Sequence, residues 1–502
     1  MKSTPVIVED LQTYNQYIWL GALALISALA AGLIYGSLTT GHNWGDDFAG
    51  YIGQAKSILE DNVDDYIEQN ALTMQNSNQQ IGPVVYPWGY PLLLTGMFSA
   101  CGLNIFCLKL LNIPIYLSFL IILFFLLNRY LTKTESLLIV ALFAVNPNIL
   151  GFQDNILSDI PFMLFSTLAI WFVDRALLDE HYEHSWIFKI MLGVTLFLAF
   201  SVRTPGILIV VTLFTIQSFQ IALHFLKTKK FLISPQMLTP YVVFSALYLI
   251  LSAVLPSANA TYLAELHISW KGILYNLWYY QSRFFYFFGN LPSFSPLSWI
   301  LWGLALTGMI LTIQRNYIFV VYTLATLGLY IIWPFPTSRF LFGIFPFIVY
   351  FVYYPIRYVL DRLLKFHTVW RVILTSTLLI TSSMYFGWQA VTIVRNNILN
   401  DRVLANGPFT PQSAELFAFI LEQTPSDGKI IFFKPRILSL LTGRSSWIFN
   451  RCDSLDGGDF VVVMKDEKYK NSDPNTIKSC NSEINFEPVF ENDAFIVYKE
   501  NY

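Results

Sequence analysis

Charged side chains are few in this chain: Asp, Glu, Lys and Arg make up 13% of 502 residues, against roughly 25% in an average soluble protein. With 55% hydrophobic residues and a mean hydropathy of +0.51, the chain is too apolar to form one soluble core. Basic runs are also missing, which excludes the electrostatic footprint of nucleic-acid binding, and a net charge of -2 points to no charged partner. No small-residue cleavage site separates the first apolar segment from the acidic stretch after it, so that segment is no removable signal peptide. It stays as the first membrane helix. No internal repeat is visible, and the one low-complexity tract is the polar "QNSNQQ" at 75–80.

In place of charge the chain has long apolar runs. At ~20 residues per crossing of a ~30 Å hydrocarbon layer they predict about eleven spans. These lie near 17–39, 106–127, 136–151, 160–178, 187–203, 206–226, 239–255, 296–313, 317–333, 340–357 and 370–388. The short, proline-rich segment "YPWGYPLLLTGMFSACG" at 86–102 is expected to lie in or dip into the interface. Loop charges test this count, because Lys and Arg concentrate in short cytoplasmic loops. With the N-terminus inside, the inner loops hold Arg129, Lys133, Arg175, Lys189, Lys227, Lys229, Lys230, Arg315, Arg357, Arg362, Lys365 and Arg371. The outer segments hold only Lys56, Lys109, Arg203, Lys271, Arg283 and Arg339. An odd number of spans follows, with the N-terminus cytoplasmic and the C-terminus outside.

After Gly387 the composition changes. Residues 1–390 read as a membrane domain with a first outer loop at about 40–90, and 395–502 as a small extracytoplasmic α/β domain. Its signals are a Pro-started helix "TPQSAELFAFILEQTP", a strand "KIIFF", a helix "PRILSLLTG", a strand "DFVVVMK" and a hairpin "EPVFENDAFIVYKE" turning at Asn492-Asp493. The expected class is therefore an all-α polytopic membrane protein with a C-terminal soluble α/β domain. Cys452 and Cys480, both in that domain, are either a disulfide or two free thiols. Cys101 and Cys107 flank a turn and are expected as plain buried residues.

Three outward-facing features carry chemistry. In "HNWGDDFAGYIGQAKSILEDN" the adjacent Asp46 and Asp47 open an apolar periodic run. One aspartate would cap that helix; the second is left for a substrate. In "NPNILGFQDNILSDIPFMLF" Asp154 and Asp159 occupy an outer turn, with helix capping again the plain alternative for Asp159. Acids at span ends are costly in lipid and usually functional. In "SVRTPG" and "WPFPTSRFLFGIFP", Arg203 and Arg339 interrupt apolar sequence. Either they snorkel, or they present a planar fork to phosphate oxygens.

The succession "GDDFAGYIGQAKSI", "YPWGYPLLL", "LSDIPFMLFSTLAIW", "RTPG", "WPFPTSRFLFGIFPF" and "TPQSAELFAFI…GRSSW" resembles the lipid-carrier-dependent GT-C glycosyltransferases, among them the protein O-mannosyltransferases and the lipid A aminoarabinose transferase. The similarity runs from about residue 17 to 390. It implies a sugar delivered from a polyprenyl phosphate on the outer leaflet, in a bacterial inner membrane, to a lipid, glycan or protein acceptor. It also maps the catalytic base to Asp46, with Asp47 beside it, the second-loop acid to Asp159, and the carrier-phosphate arginine to Arg339. The loop "VVYPWGYP" lacks the Lys or Glu that several relatives place there, so donor contacts are expected to differ.

The chemistry needs a base for the acceptor proton and cations for the departing phosphate. Attack from the face opposite the leaving group inverts the sugar. Asp46 is the expected base, Asp159 orients the acceptor or polarises Asp46, and Arg339, Arg203 and Lys109 bind phosphate. Tyr51, Tyr86, Tyr90 and Asp154 are expected to line the substrate loop. No cofactor is required, although Asp46, Asp47 and Asp159 together offer oxygens that suit a divalent cation. The alternatives are a polymerase of polyprenyl-linked glycan and a transporter or flippase of a lipid-linked sugar. The transporter predicts acids at mid-span and inverted repeats, neither of which the sequence has.

Overall fold

A computed structural model describes residues 6–77, 82–179, 185–230, 234–256, 268–289, 295–363, 368–449, 458–466, 479 and 485–501. Cys452 and Cys480 lie outside them. The membrane part comprises α1 (Val6–Ser37), α2 (Asp47–Leu59), α3 (Val63–Asn76), α4 (Gly89–Cys101), α5 (Ile105–Lys109), α6 (Asn112–Leu127), α7 (Lys133–Ala144), α8 (Pro147–Gln153) and α9 (Asp159–Leu178). It continues with α10 (Trp186–Val202), α11 (Ile207–Thr228), α12 (Pro235–Val254), α13 (Trp270–Arg283), α14 (Pro296–Ile332), α15 (Phe345–Tyr358) and α16 (Thr368–Leu399). Eight helices among the described residues are long and apolar enough to cross a bilayer, or nine with the bent pair α7–α8. The chain is a multi-pass membrane protein. Large apolar side chains such as Leu25, Ile187 and Val242 are left exposed on the bundle, where lipid replaces water.

The expected count of about eleven takes α10, 17 residues long and short of the ~20 that span a bilayer, and the two halves of α14 as separate crossings. The two ends of α14 meet the same short helix: Ser298 Oγ donates to the Gln281 carbonyl at 3.1 Å, and Asn276 Nδ2 donates to the Ile331 carbonyl at 2.8 Å. A straight helix of that length would hold its ends ~50 Å apart. The chain therefore turns back at Asn316, whose φ of -127° breaks the helix. Segment 86–102 forms α4, 13 residues long and packed on α2. Its last residue, Cys101, is disulfide-bonded to Cys107, with Cα atoms 6.4 Å apart. This corrects the expectation of two plain buried thiols: the turn at Gly102, φ +57°, brings α5 back alongside.

The bundle has two polar ends. At one, Arg129 pairs with Asp174 at 3.2 Å, Arg357 with Glu135 at 3.4 Å, and Arg315 lies over the Tyr130 ring. At the other, α2, α9 and the segment after Trp333 converge. Beyond α16 lie α17 (Pro411–Gln423), α18 (Pro435–Thr442) and a five-stranded sheet: β1 (Lys429–Ile431), β2 (Ser445–Trp447), β3 (Phe460–Met464), β4 (Asn485–Glu491) and β5 (Phe495–Asn501), in the order β2-β1-β3-β5-β4. β1 is parallel to β2 and β3, while β4 and β5 form the antiparallel hairpin expected around Asn492-Asp493. This domain is not a bead on a tether. Trp44, Phe48 and Ile52 of the first loop share one buried apolar cluster with Leu416, Phe432 and Ile437.

Candidate active site

Loop 39–46 enters α2 through a run of fixed side chains. Asn43 Nδ2 donates to Asn155 Oδ1 at 2.8 Å, and the Trp44 indole donates to Asn406 Oδ1 at 2.6 Å. His42 stacks on Phe48, accepts the Ile156 N–H at Nε2 and faces the Asn43 carbonyl with Nδ1. Burial lowers its pKa to about 3, so it is a neutral imidazole whose tautomer those two bonds fix.

Asp46 occupies the N-cap of α2 in a helical conformation and makes no capping hydrogen bond. Both of its carboxylate oxygens are buried, and no side chain among the described residues donates a hydrogen bond to them; the Ile437 N–H faces the carboxylate, and the nearest cation is Arg436 Nε at 3.9 Å. Burial lifts its pKa to about 6, an effect that Arg436 and Lys434 only partly offset. Asp47 is its opposite. Burial would raise Asp47 too, but Arg339, 2.5 Å away, and the Tyr86 hydroxyl, donating at 2.7 Å, hold it down at about 2. Two neighbouring carboxylates are thus split into a fixed anion and a poised proton acceptor.

Arg339 leads the 3-10 turn Ser338–Ile344 and bridges acids from two elements, reaching Asp47 at 2.5 Å and Asp159 at 4.0 Å. Asp159, almost fully buried at the start of α9, also pairs with Arg203. Arg203 in turn sits over the Phe340 ring at 5.1 Å. Asp46, Asp47 and Arg339 face a cleft of about 800 Å³ whose other walls are Asn148, Phe152, Tyr286, Phe335 and Phe340. Its lining thus combines charged and polar groups with several aromatic rings, which suits a charged head joined to an apolar tail.

Neither a family model nor a curated protein sequence matches the chain. Solved structures do. The crystal structure of ArnT from Cupriavidus metallidurans bound to undecaprenyl phosphate superposes with a TM-score of 0.57 at 10% identity, covering 95% of this chain and 98% of ArnT. The Archaeoglobus fulgidus oligosaccharyltransferase tethered with an acceptor peptide containing the NVT sequon gives 0.55 at 10% identity, over 97% of this chain and 74% of that one. The chain has the GT-C fold. Within the GT-C fold so low an identity carries no activity across, and the site has to be read from its own residues.

Of the residues singled out from sequence, Asp46, Asp47 and Arg339 line the cleft of this GT-C fold, and Asp159 and Arg203 form the ion pair behind Arg339. Others are corrected. Lys109 is fully buried, and its ammonium is used up by Asp154 at 2.6 Å, the Gly41 carbonyl at 2.5 Å and Thr39. Asp154 accepts from the Thr39 N–H as well, at 2.7 Å. That pair staples loop 39–41 to the end of α8 and has no donor left for a phosphate. Tyr51, Tyr86 and Tyr90 are buried against one another beneath the acids rather than exposed to a substrate, Tyr51 bonding to Ser158 at 2.8 Å. Gly50 lets the Tyr86 ring close in, since a Cβ there would lie 2.6 Å from it. No group of three His, Cys, Asp or Glu side chains placed to hold a metal ion occurs among the described residues.

Sequence reasoning missed Arg436. Its guanidinium is buried, donating to Asn70 Oδ1 at 3.1 Å, the Tyr86 hydroxyl at 2.9 Å and the Pro83 carbonyl at 2.5 Å. An arginine between Pro435 and the buried pair Ile437-Leu438 was the one available signal.

Proposed function

We propose that the chain is an integral membrane glycosyltransferase that moves a sugar from a polyprenyl-phosphate carrier to an acceptor hydroxyl on the extracytoplasmic face of a cell membrane. The observation that carries this reading is Asp46: a buried carboxylate to which no side chain donates a hydrogen bond, with a pKa raised to about 6 and a place on the lining of the cleft that also holds Arg339.

In the proposed step the acceptor O–H gives its proton to Asp46 as its oxygen bonds to the anomeric carbon. The bond from that carbon to the phosphate oxygen breaks, and the electron pair leaves with the polyprenyl phosphate. Arg339 stabilises the departing charge while Asp47 and Asp159 hold the guanidinium in place. Attack and departure on opposite faces invert the anomeric centre. The N-terminus is placed in the cytoplasm and the sheet domain outside, by the loop-charge bias.

The test is transfer by purified protein in detergent or nanodiscs, with polyprenyl-phosphate sugars as donors and envelope lipids, glycans and proteins offered as acceptors. Sugar transfer with stoichiometric release of polyprenyl phosphate is expected. Failure of the protein to bind or consume any polyprenyl-phosphate sugar would overturn the reading.

A further inference from the structure

The soluble domain reaches into the site through one side chain. Arg436 is the second residue of α18 and only 5% exposed. It touches α3 through Asn70, the first-loop turn through Pro83 and Tyr86, and the N-terminus of α2 through Asp46. The Tyr86 hydroxyl accepts from Arg436 and donates to Asp47, which pairs with Arg339, which faces Asp159, which pairs with Arg203. A relay of polar contacts, passing through the neutral Tyr86 hydroxyl, therefore runs from the sheet domain to two membrane-embedded segments. The Arg436 guanidinium also sits 5.3 Å over the Tyr86 ring, so one plane contacts both the ring and the carboxylate region.

We infer that Arg436 is a positioning residue for the base, so that the catalytic centre is complete only when the C-terminal domain is docked on the first loop. This rests on the reading of Asp46 as proton acceptor. The mechanism is electrostatic and geometric. A guanidinium at 3.9 Å favours the carboxylate form of Asp46 without donating a hydrogen bond that would tie up its oxygens. Its hydrogen bonds to Asn70, Tyr86 and Pro83 go to neutral oxygens, which fixes the plane without neutralising the charge. The other charged or titratable groups around Asp46 are Asp47 on α2, Lys434 just before α18 and Tyr66 on α3. Of the two cations, Arg436 has the larger effect on Asp46.

The experiment compares pH profiles of sugar transfer for wild type, Arg436→Gln, Arg436→Lys and Asp46→Asn, in detergent preparations matched for folded protein. Removing the cation raises the pKa of the base, so the acidic limb of Arg436→Gln should move to higher pH. Its rate should be down on the order of tenfold at pH 6.5 and recover most of that loss by pH 8.5. Lys should place the limb between the two, because charge is restored and the fork is not. A limb unmoved in folded Arg436→Gln, or a loss equal at every pH, would overturn the inference and leave Arg436 a structural clamp. Where Arg436→Gln does not fold, Arg436→Lys decides alone by the same criterion. A limb that persists in Asp46→Asn would instead sink the assignment of the base, and the two failures are told apart in one data set.

Discussion

Arg339 Nη2 lies 2.5 Å from Asp47 Oδ2, and the same guanidinium reaches Asp159 at 4.0 Å. The contact joins the first outer loop to the entrance of a late membrane span, almost three hundred positions away in the chain. With Asp47 held as an anion, the guanidinium is fixed in orientation before any ligand arrives. Such preorganisation is what makes a cation effective at a charge that develops during reaction.

Arg339→Ala should therefore weaken donor binding. A hydrogen bond to a charged group is worth about 1.5–3 kcal/mol, which corresponds to a loss on the order of ten- to a hundredfold in affinity for the sugar phosphate. Arg339→Lys should recover part of it, since an ammonium cannot bridge two carboxylates as a planar fork does. Binding of polyprenyl phosphate to purified variants measures this. Unchanged affinity in folded Arg339→Ala would move the phosphate to Arg203.

Lys109 gives the contrasting case. Because its ammonium is buried against Asp154 and Thr39, Lys109→Met should act on folding: breaking a buried pair by removing one partner costs roughly 3–5 kcal/mol. Thermal stability should fall while KM for the donor, per folded molecule, stays put. Lys109→Met with Asp154→Asn should regain part of the stability. A raised donor KM in the single variant at full stability would return Lys109 to the phosphate site.

Much of this architecture is legible in sequence because lipid makes strict demands. Apolar runs had to be membrane helices, and the few polar residues at their outer ends, Asp46, Asp47, Asp159, Arg203 and Arg339, had to serve a purpose. What stayed hidden depends on side-chain direction and distant partners. Nothing in a linear chain distinguishes a Lys109 turned onto Asp154 from one turned to solvent. Arg436 meets Asn70 across 366 positions, and no local pattern encodes that. Strand β2, three residues long, is shorter than the alternation that would reveal it. The Asn316 break, by contrast, was readable, because Arg315-Asn316 interrupts an apolar run too long for one crossing.

The Cys101–Cys107 bond offers a test of sidedness. Disulfides persist in oxidising compartments, and these two residues belong to the same end of the bundle as the cleft. In intact cells, a maleimide probe should label neither cysteine until a reductant is added, and a reporter fused after Lys230 should be cytoplasmic while one at Tyr502 is external. Labelling of Cys107 without reductant, or a cytoplasmic C-terminus, would contradict the proposed orientation.

Asp46→Asn separates a base from a helix cap. As an N-cap, Asn is about as good as Asp, so a capping role predicts near-silence beyond a charge term of roughly 0.3–1 kcal/mol. Asp46 makes no capping bond, and its buried carboxylate has a pKa raised to about 6. A group whose folded pKa is raised gives stability below its unfolded pKa and loses it as pH climbs through about 6. Ionised Asp46 thus weakens the fold at pH 8, and Asn should leave thermal stability there unchanged or higher. Transfer should behave differently. Wild type should gain activity as pH rises through about 6, and Asp46→Asn should lose on the order of a hundredfold or more, because shape is kept while the proton acceptor is gone. Asp47→Asn, which loses a partner of Arg339 and not the base, should show a milder loss in rate and a weaker hold on the donor. Full activity in a folded Asp46→Asn protein would remove this carboxylate from the reaction.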